Sequence, residues 1–442
     1  MRQMLTGAAL AAIGFFAGSA NAADLKADIA ADYGYLEGLY KTLHANPELS
    51  FMEVETARRM AAEFRKLGFD VTEGVGKTGV VGVMQNGDGP VVTLRADMDG
   101  LPVAEQTGLA YASKATGENR FGEVQPIMHA CGHDVHMTSL IGAARQLVER
   151  KGEWSGTLIL IAQPAEEIGL GARAMLDDGL YERFPRPDYV VALHDSASLA
   201  AGKVAYTPGW ALANVDSVDI YVRGIGGHGA YPQTTKDPVV IGASIVTALQ
   251  TLVSREISPL EPAVVTVGAF NAGAKHNIIS DEAHLQLTVR SYTDEVRARL
   301  LDGIQRIARA QAASAGLPED LYPRIEIEED YTPSTYNDPA LAERLAGRFR
   351  DRFGEENVIQ ADPVMGGEDF AWYGRLEPKI PTMIFWIGAV APGKVAAAQA
   401  GGDPLPSLHS PFFAPQPRPT ILTGVEAMTA AALDLLQPAI SE

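Results

Sequence analysis

Short apolar segments alternate with helical segments from residue 24 to about residue 205, and this alternation limits the fold more than any other feature. The strand-like runs VVTLRAD, TLILIAQPAEE and YVVALHD each end in polar or charged residues, and the helical run VHMTSLIGAARQLVERKG separates the first two. Apolar strands joined by helices predict a mostly parallel α/β sheet that is covered on both faces. Sites in such sheets gather beyond the carboxyl ends of the strands. There the sequence has Asp97, Glu166, Glu167 and His194.

A different pattern follows between residues 209 and 330. Val218, Ile220 and Val222 alternate with polar residues, as in a strand with one buried face. The predicted element order from here is β-α-β-β-α-β, which is the ferredoxin-like split motif. After residue 330 the helix–strand style returns, with a predicted loop at 389–407. Because 442 residues exceed the size of a single core, we predict a catalytic domain (24–208 and 331–442) with an inserted lid or interface domain (209–330).

The N-terminal segment has the pattern of an export signal. Arg2 precedes an apolar run, and Ala20–Ala22 form a small-x-small cleavage signal, which predicts a signal peptide at residues 1–22 and a periplasmic or secreted protein. We expect no membrane span after its removal. The formal net charge of −19 argues against nucleic acid and anionic membranes as partners, because phosphate binding requires clustered Lys and Arg.

The segment HACGHDVH holds the only cysteine of the chain, Cys131, two positions before His133. Thiolate and imidazole are both good ligands for a divalent ion such as zinc. A buried, inert cysteine beside a core histidine fits the same pattern. A cysteine nucleophile activated by a histidine is a third interpretation.

Two adjacent glutamates, Glu166 and Glu167, follow a predicted strand. A pair of carboxylates with different tasks suits metal-assisted hydrolysis, since one can bind the ion while its neighbour takes a proton from water. A solvated acidic pair is the alternative. His194 closes another apolar run, and His409 stands in a Pro-flanked loop that is unremarkable alone.

Taken together and in order, nine segments resemble the M20 metallopeptidase/amidohydrolase family, in particular its branch of aminoacylases, hippurate hydrolases and indole-acetyl-amino-acid hydrolases. These segments are LHANPELSFMEVET, LRADMDGLPVAE, MHACGHDVHM, AQPAEE, LH (193–194), GIGGHGAYP, HNIISDEAHLQLTVRS, GGEDFAWY and LHSPFF. The resemblance implies a metal-binding catalytic domain with an inserted dimerisation lid.

The resemblance also implies a set of metal ligands, namely Cys131, His133, Glu167, His194 and His409. The thiolate would bridge two divalent ions, and zinc, manganese, cobalt and nickel all suit such donors. Two ions about 3.5–4 Å apart can act together on a carbonyl and on water. Glu166 would then be the general base, and Asp97 would support the metal site from behind its ligands.

Three further residues gain roles from the resemblance. His228 would reach the active site of a partner subunit and stabilise the oxyanion, so the enzyme would be a homodimer. Asn277 and Arg290 match substrate-binding positions, and a guanidinium can hold a free carboxylate through two hydrogen bonds. Gln233 stands where the family usually has a histidine.

The function expected from these observations is hydrolysis of the amide bond of N-acyl amino acids by metal-activated water. A di- or carboxypeptidase acting on short peptides would use the same centre. A cysteine-nucleophile hydrolase leaves both glutamates and two of the histidines unexplained. A non-catalytic periplasmic binding protein would not need Glu166.

Overall fold

The computed structural model describes residues 18–437, with side chains from residue 25 onward. Its helices are α1 (Gly18–Ala45), α2 (Val54–Lys66), α3 (His133–Glu149), α4 (Gly171–Asp177), α5 (Leu180–Arg183), α6 (Pro238–Thr251), α7 (Asp294–Ser314), α8 (Pro339–Phe353), α9 (Pro392–Gln399) and α10 (Pro417–Leu435). Its strands are β1 (Asp70–Val75), β2 (Gly79–Asn86), β3 (Val91–Asp97), β4 (Thr116–Glu118), β5 (Val124–Pro126), β6 (Gly156–Gln163), β7 (Tyr189–Ala200), β8 (Val204–Tyr206), β9 (Gly209–Leu212), β10 (Asp216–Arg223), β11 (Gly227–His228), β12 (Ala263–Ala272), β13 (Ile278–Ile279), β14 (Glu282–Ser291), β15 (Arg324–Ile327), β16 (Thr335–Asn337), β17 (Val358–Gln360) and β18 (Thr382–Val390).

Eight strands form the main sheet in the order β1-β2-β6-β3-β7-β18-β8-β17. The four central strands β6, β3, β7 and β18 are parallel, which confirms the predicted α/β sheet. Strands β1 and β2 run antiparallel to each other, and β2 runs antiparallel to β6. A short turn joins β1 to β2, and a turn of that length can only connect antiparallel strands.

Both faces of the main sheet are buried, as the continuous apolar runs predict. Along β6, Leu158 and Leu160 belong to the apolar core on one face, whereas Ile159 and Ile161 belong to the core on the other. Helices α1, α3 and α10 pack against one another on the first of these faces. Because the sheet is packed on both faces, the side chains at its carboxyl edge have well-defined positions.

A second sheet has the order β12-β14-β10-β15, and all its neighbouring strands are antiparallel. Together with α6 and α7 it follows the predicted β-α-β-β-α-β order, and Val218, Ile220 and Val222 face its own apolar core. The domain boundaries at residues 208/209 and 330/331 stay predictions.

Three local expectations differ from the structure. Residues 389–407, predicted as a loop, contain helix α9, which begins at Pro392. Proline suits the first turn of a helix, and the alanines that follow are strong helix formers. Strand β7 continues past His194 to Ala200, because its polar residues still pair with β18. The helix expected at 238–256 is α6, followed by a π-helical turn at Leu252–Glu256.

By length and composition, Pro238–Glu256 is the one helix in the described part of the chain that could cross a membrane. Its residues Ile241, Ile245 and Leu249 are buried in the second core, while Val239 and Val240 are exposed. Residues 1–17 of the expected signal peptide lie outside the described residues, and residues 18–22 fall within α1.

Candidate metal centre

The carboxyl edge of the main sheet gathers the predicted ligands from separate loops. Cys131 immediately precedes Gly132, the residue before α3, and His133 is the first residue of that helix. Glu166 and Glu167 follow β6, and His194 lies within β7. At Gly132 φ is +78°, and a Cβ there would lie 2.3 Å from an Asp195 carboxylate oxygen. This turn therefore requires glycine.

The five predicted ligands lie side by side. The Cys131 Sγ is 3.5 Å from His194 Nε2, and His409 Nε2 is 3.5 Å from Glu167 Oε2. Ligand atoms lie within 4.8 Å of one another in one group of Cys131, His133 and His194, and in a second group of Cys131, Glu167 and His409. The sulfur is common to both groups, which is the position that a bridging thiolate requires.

Three donor atoms of this cluster are buried without hydrogen-bond partners among the described residues. Both ring nitrogens of His133 and the Glu167 Oε1 have none among the described residues. Buried polar atoms almost always have a partner, so these atoms fit a bound cation. The N, O and S donors are those that zinc and neighbouring divalent metals use.

Carboxylates surround the His133 ring. Its Nε2 lies 3.8 Å from an oxygen of each of Asp97, Glu166 and Glu167. Burial alone would lower the pKa of His133, but the charge of Asp97 and the contacts with Asp99 and Cys131 raise it well above its usual value. The negative surroundings that favour a proton at this position also favour a divalent cation.

Of the remaining ligands, Cys131 is buried, His194 is partly buried and His409 is exposed. Burial and the charge of His136 lower the pKa of His194, and burial and His133 lower that of His409. These two rings are therefore neutral near pH 7, which is the form that binds a metal. Burial and the Glu167 charge raise the pKa of the Cys131 thiol.

Glu166 lies 3.8 Å from His133 Nε2, and its role as the general base stays a prediction. Burial, with the charges of Glu368 and Glu167, raises the pKa of its carboxyl well above the usual range. Burial, only partly offset by His133, raises the pKa of Glu167 to about 8. A carboxylate with a raised pKa accepts a proton more readily.

Two carboxylates that the sequence analysis did not select hold the backbone of the glutamate turn. Glu53 Oε1 accepts from the Ala165 N–H at 2.8 Å, and Asp99 accepts from the N–H groups of Glu166 and Glu167 at 3.1 and 3.0 Å. Ala165 has φ +49°, a conformation that these hydrogen bonds maintain. Asp99 stands two positions after Asp97, and this spacing of two acidic residues at the end of a strand is the sequence signal that could have identified Asp99.

Asp97 lies beside His133 and His136, and its role in supporting the metal site stays a prediction. Its carboxylate accepts from the buried guanidinium of Arg95 at 2.5 Å and contacts His136 Nδ1 at 2.6 Å. Burial would raise the pKa of Asp97, yet Arg95 and the histidines hold it well below its usual range. Arg95 also donates to Glu368 and Gln163, so it ties three segments together. Sequence analysis missed Arg95, because arginine in a strand is usually exposed.

A cavity of about 450 Å³ opens above the cluster, and the second sheet contributes to its wall. Arg290 lines this cavity, where its guanidinium donates to the Met365 carbonyl at 3.0 Å and to Thr288 Oγ1 at 3.2 Å. Among the described residues it forms no ion pair with a carboxylate. Burial lowers the pKa of Arg290, and a bound anion would compensate for that burial.

His228 and Asn277 do not line this cavity. They are exposed neighbours on the β11–β13 ribbon, where the Gly229 N–H donates to the Asn277 carbonyl at 2.9 Å. Within one chain, the structure therefore does not bring these two predicted residues to the metal cluster. Gln233 is also exposed, in the turn Pro232–Thr234.

This chain belongs to peptidase family M20/M25/M40, whose sequence model matches residues 93–409. It is a metal-dependent hydrolase of the amidohydrolase type, as the resemblance predicted.

The chain is 36% identical over 381 residues to IAA-amino acid hydrolase ILR1-like 4 of Arabidopsis thaliana, which covers 86% of this chain and 81% of the relative. It is 39% identical over 347 residues to hippurate hydrolase of Campylobacter jejuni, and the match covers 78% of this chain and 86% of the relative. Thermostable carboxypeptidase 2 of Saccharolobus solfataricus is 37% identical over 368 residues, covering 82% and 88%.

A solved structure extends the likeness to three dimensions. The YXEP protein of Bacillus subtilis, described as a dinuclear metal binding peptidase from the M20 family, superposes with a TM-score of 0.72 at 30% identity. The superposition covers 92% of this chain and 99% of that one.

Proposed function

We propose that this protein hydrolyses the amide bond between an acyl group and an amino acid. The observation that carries the proposal is the convergence of two ligand groups that share Cys131, in a cavity that also contains Glu166 and Arg290. Relatives named hippurate hydrolase and IAA-amino acid hydrolase support this substrate class.

We propose that Cys131, His133, Glu167, His194 and His409 hold two divalent ions. When bound, the ions would polarise the scissile carbonyl and increase the acidity of water. Zinc, manganese, cobalt and nickel all fit the donor set. Asp99, 3.4 Å from His133 Nδ1, orients the imidazole ring, and Asp97 lies 3.8 Å from the opposite nitrogen, Nε2.

The side chains of this protein then have separate tasks. Glu166 accepts a proton from the attacking water as the water oxygen bonds to the carbonyl carbon. The same carboxyl then donates that proton to the amide nitrogen as the C–N bond breaks, so Glu166 returns to its ionised form. The products are a free acid and a free amino acid.

Arg290 would select the amino-acid half of the substrate. Within the described part of the chain, its guanidinium has hydrogen bonds only to a carbonyl and a hydroxyl, so it can still pair with the free carboxylate next to the scissile amide. A carboxypeptidase substrate carries the same carboxylate, and the carboxypeptidase relative makes short peptides the second candidate.

Rates on a panel of substrates test the proposal. The metal-reconstituted protein is assayed with N-acetyl, N-benzoyl and dipeptide derivatives of the same C-terminal amino acid. We expect higher kcat/KM for the N-acyl amino acids, and equal or faster cleavage of dipeptides would favour the peptidase. Binding of N-acyl amino acids without turnover would indicate a binding protein. Activity that survives chelation but not thiol alkylation would indicate a cysteine nucleophile.

We also propose that the protein is a homodimer formed through the second sheet. Strand β12 is an edge strand of that sheet, and Val239, Val240 and Phe270 are exposed on the adjoining surface. An edge strand beside an exposed apolar surface suits a self-complementary interface. The exposed His228 and Asn277 would then contribute to the cavity of the partner.

Mixing two inactive variants tests this arrangement. In a heterodimer of His228→Ala and Glu166→Gln chains, one of the two sites has both residues. Random pairing of equal amounts would restore about one quarter of wild-type activity, since half of the dimers are mixed and each has one intact site. A mixture that stays inactive would contradict a role for His228 across subunits.

Export is a further proposal, based on residues 1–22. It predicts that a fusion of these residues to a reporter enzyme carries the reporter out of the cytoplasm. Replacement of the apolar run with charged residues is the control, and retention of the unmodified fusion would exclude a signal peptide.

A further inference from the structure

A short β-hairpin stands beside the metal cluster. Strands β4 and β5 pair antiparallel, and Asn119 closes the turn by accepting from the N–H groups of Phe121 and Glu123. The Ile127 N–H donates to the Ala115 carbonyl at the base of the hairpin. Because Cys131 follows a few residues later, the hairpin is fixed to the loop that carries the metal ligands.

A second cavity, of about 280 Å³, lies under this hairpin. Glu167 and Ile168 line both this cavity and the larger one above the metal cluster. Arg290 lines only the larger cavity, and Phe121 lines only the smaller one. The two cavities therefore extend in different directions from Glu167, where the scissile bond has to be held.

The smaller cavity has an apolar part, and the polar side chains of Ser50, Asn119 and Gln125 line the rest of it together with Arg120 and Glu167. Leu49, Leu101, Pro102 and Ile168 line the apolar part together with Phe121, a residue that is 72% exposed. The Arg120 guanidinium lies 4.7 Å from the centre of the Phe121 ring. Glu167 is the only acidic residue among the lining residues.

The apolar part of this lining suits an uncharged, flat, apolar group. An aromatic ring can stack against Phe121 and contact the aliphatic wall, while an acetyl group is too small to reach both. Complete small-molecule sites occupy roughly 300–1,000 Å³, so this smaller cavity suits one substituent and not a whole substrate.

We propose that the smaller cavity is an acyl pocket that binds the aromatic acyl group of an N-aroyl or N-arylacetyl amino acid. This inference depends on the proposed function, since it assigns the acyl half of the same substrate. The amide then lies at Glu166 and Glu167, and the carboxylate lies at Arg290. Phe121 is the specificity-determining residue of the pocket.

The test compares two substrates that differ only in the acyl group. N-Benzoyl and N-acetyl derivatives of one amino acid are assayed with wild type, Phe121→Ala and Val124→Ala. Val124 is the matched control because it is equally exposed, at 72%, on the same hairpin but does not line the pocket. Both substitutions are at exposed positions, so folding is not at risk.

We expect Phe121→Ala to lower kcat/KM for the benzoyl substrate about tenfold, the loss expected for one aromatic contact. The acetyl substrate should change less than about twofold, and Val124→Ala should change neither. The benzoyl loss should appear mainly in KM, because the contact exists before the reaction begins.

Three results separate the possible failures. If wild type hydrolyses both substrates but Phe121→Ala leaves their ratio unchanged, the acyl pocket is wrong and the proposed function stands. If Val124→Ala matches Phe121→Ala, the effect belongs to the hairpin as a whole and the assignment of Phe121 is wrong. If wild type cleaves dipeptides but neither N-acyl substrate, the proposed function fails and this inference fails with it.

Discussion

Replacing Asp99 with asparagine should damage the centre without removing a proposed ligand or the proposed base. Asp99 accepts three hydrogen bonds, from Ser50 Oγ at 2.6 Å and from the N–H groups of Glu166 and Glu167. The two N–H groups bond to different carboxylate oxygens. An asparagine amide has one oxygen and one NH₂ group, so one backbone N–H would face a donor.

The expected magnitude follows from these contacts. A hydrogen bond to a charged group contributes about 1.5–3 kcal/mol, and a buried donor left unpaired costs a further 1–3 kcal/mol. We therefore expect Asp99→Asn to lower the free energy of unfolding by about 2.5–6 kcal/mol. A shift of the glutamate turn by about 1 Å would lower kcat by roughly a hundredfold, since Glu166 would be misplaced.

Ser50→Ala is the matched control, because it removes one hydrogen bond from the same carboxylate and leaves both backbone contacts. It should cost about 1 kcal/mol, as water can replace a partly exposed hydroxyl. Urea unfolding in the presence of a chelator isolates the protein contacts, and kcat is measured at saturating metal. The reasoning would be refuted if Asp99→Asn were no more destabilising than Ser50→Ala and kept its kcat.

Further predictions concern individual residues of the centre and its surroundings. Glu166→Gln should retain the bound metal and lower kcat by about 10²–10⁴-fold. Cys131→Ser should instead lower the metal content measured by mass spectrometry. An unchanged metal content in Cys131→Ser would exclude the assignment of Cys131 as a bridging ligand. Arg290→Gln should raise KM at least tenfold for N-acyl amino acids, because a buried guanidinium–carboxylate pair contributes about 1.5–3 kcal/mol. The KM for the corresponding C-terminal carboxamides should not rise. Equal changes for both kinds of substrate would contradict recognition of the carboxylate by Arg290. The ring of His44 contacts Asp134 and Glu105, and these partners, against the effect of burial, raise its pKa to about 10. Since this value lies above the ordinary 6.5, the stabilisation by His44 should be complete below pH 6.5 and be lost as the pH rises through about 10. Urea titration of wild type and His44→Asn measures the difference in their free energies of unfolding. This difference should shrink between pH 6.5 and pH 10.5. A difference that does not depend on pH would show that His44 is neutral in the folded state.

The strands that carry the site could be predicted because their signal is local. Strand β3 has the predicted limits, and the polar residues that end β3 and β6 lie at one edge because the two strands are parallel. The set of metal ligands could not be predicted from local sequence pattern alone. His409 is unremarkable in sequence, and it reaches Glu167 only because the chain returns to this edge far along its length.

The residues that the sequence analysis missed depend on long-range contacts. Arg95 is completely buried, and its partner Glu368 is 273 residues away. Glu53 contacts Ala165 across 112 residues. No pattern of hydrophobicity predicts such pairs, because each residue taken alone resembles a surface charge. Helix α9 was missed for a different reason, since alanine and glycine in one segment give opposing local preferences.

Glu167 separates the two cavities and is also a proposed ligand, and this double position restricts how the enzyme can change. A substitution at residue 167 that widened the passage would also remove a donor from the ion cluster. The hairpin Thr116–Pro126 has no such constraint, because its exposed tip contributes nothing to the main sheet. New acyl preferences can therefore arise by exchanging the hairpin tip, while the hydrolytic machinery stays as it is.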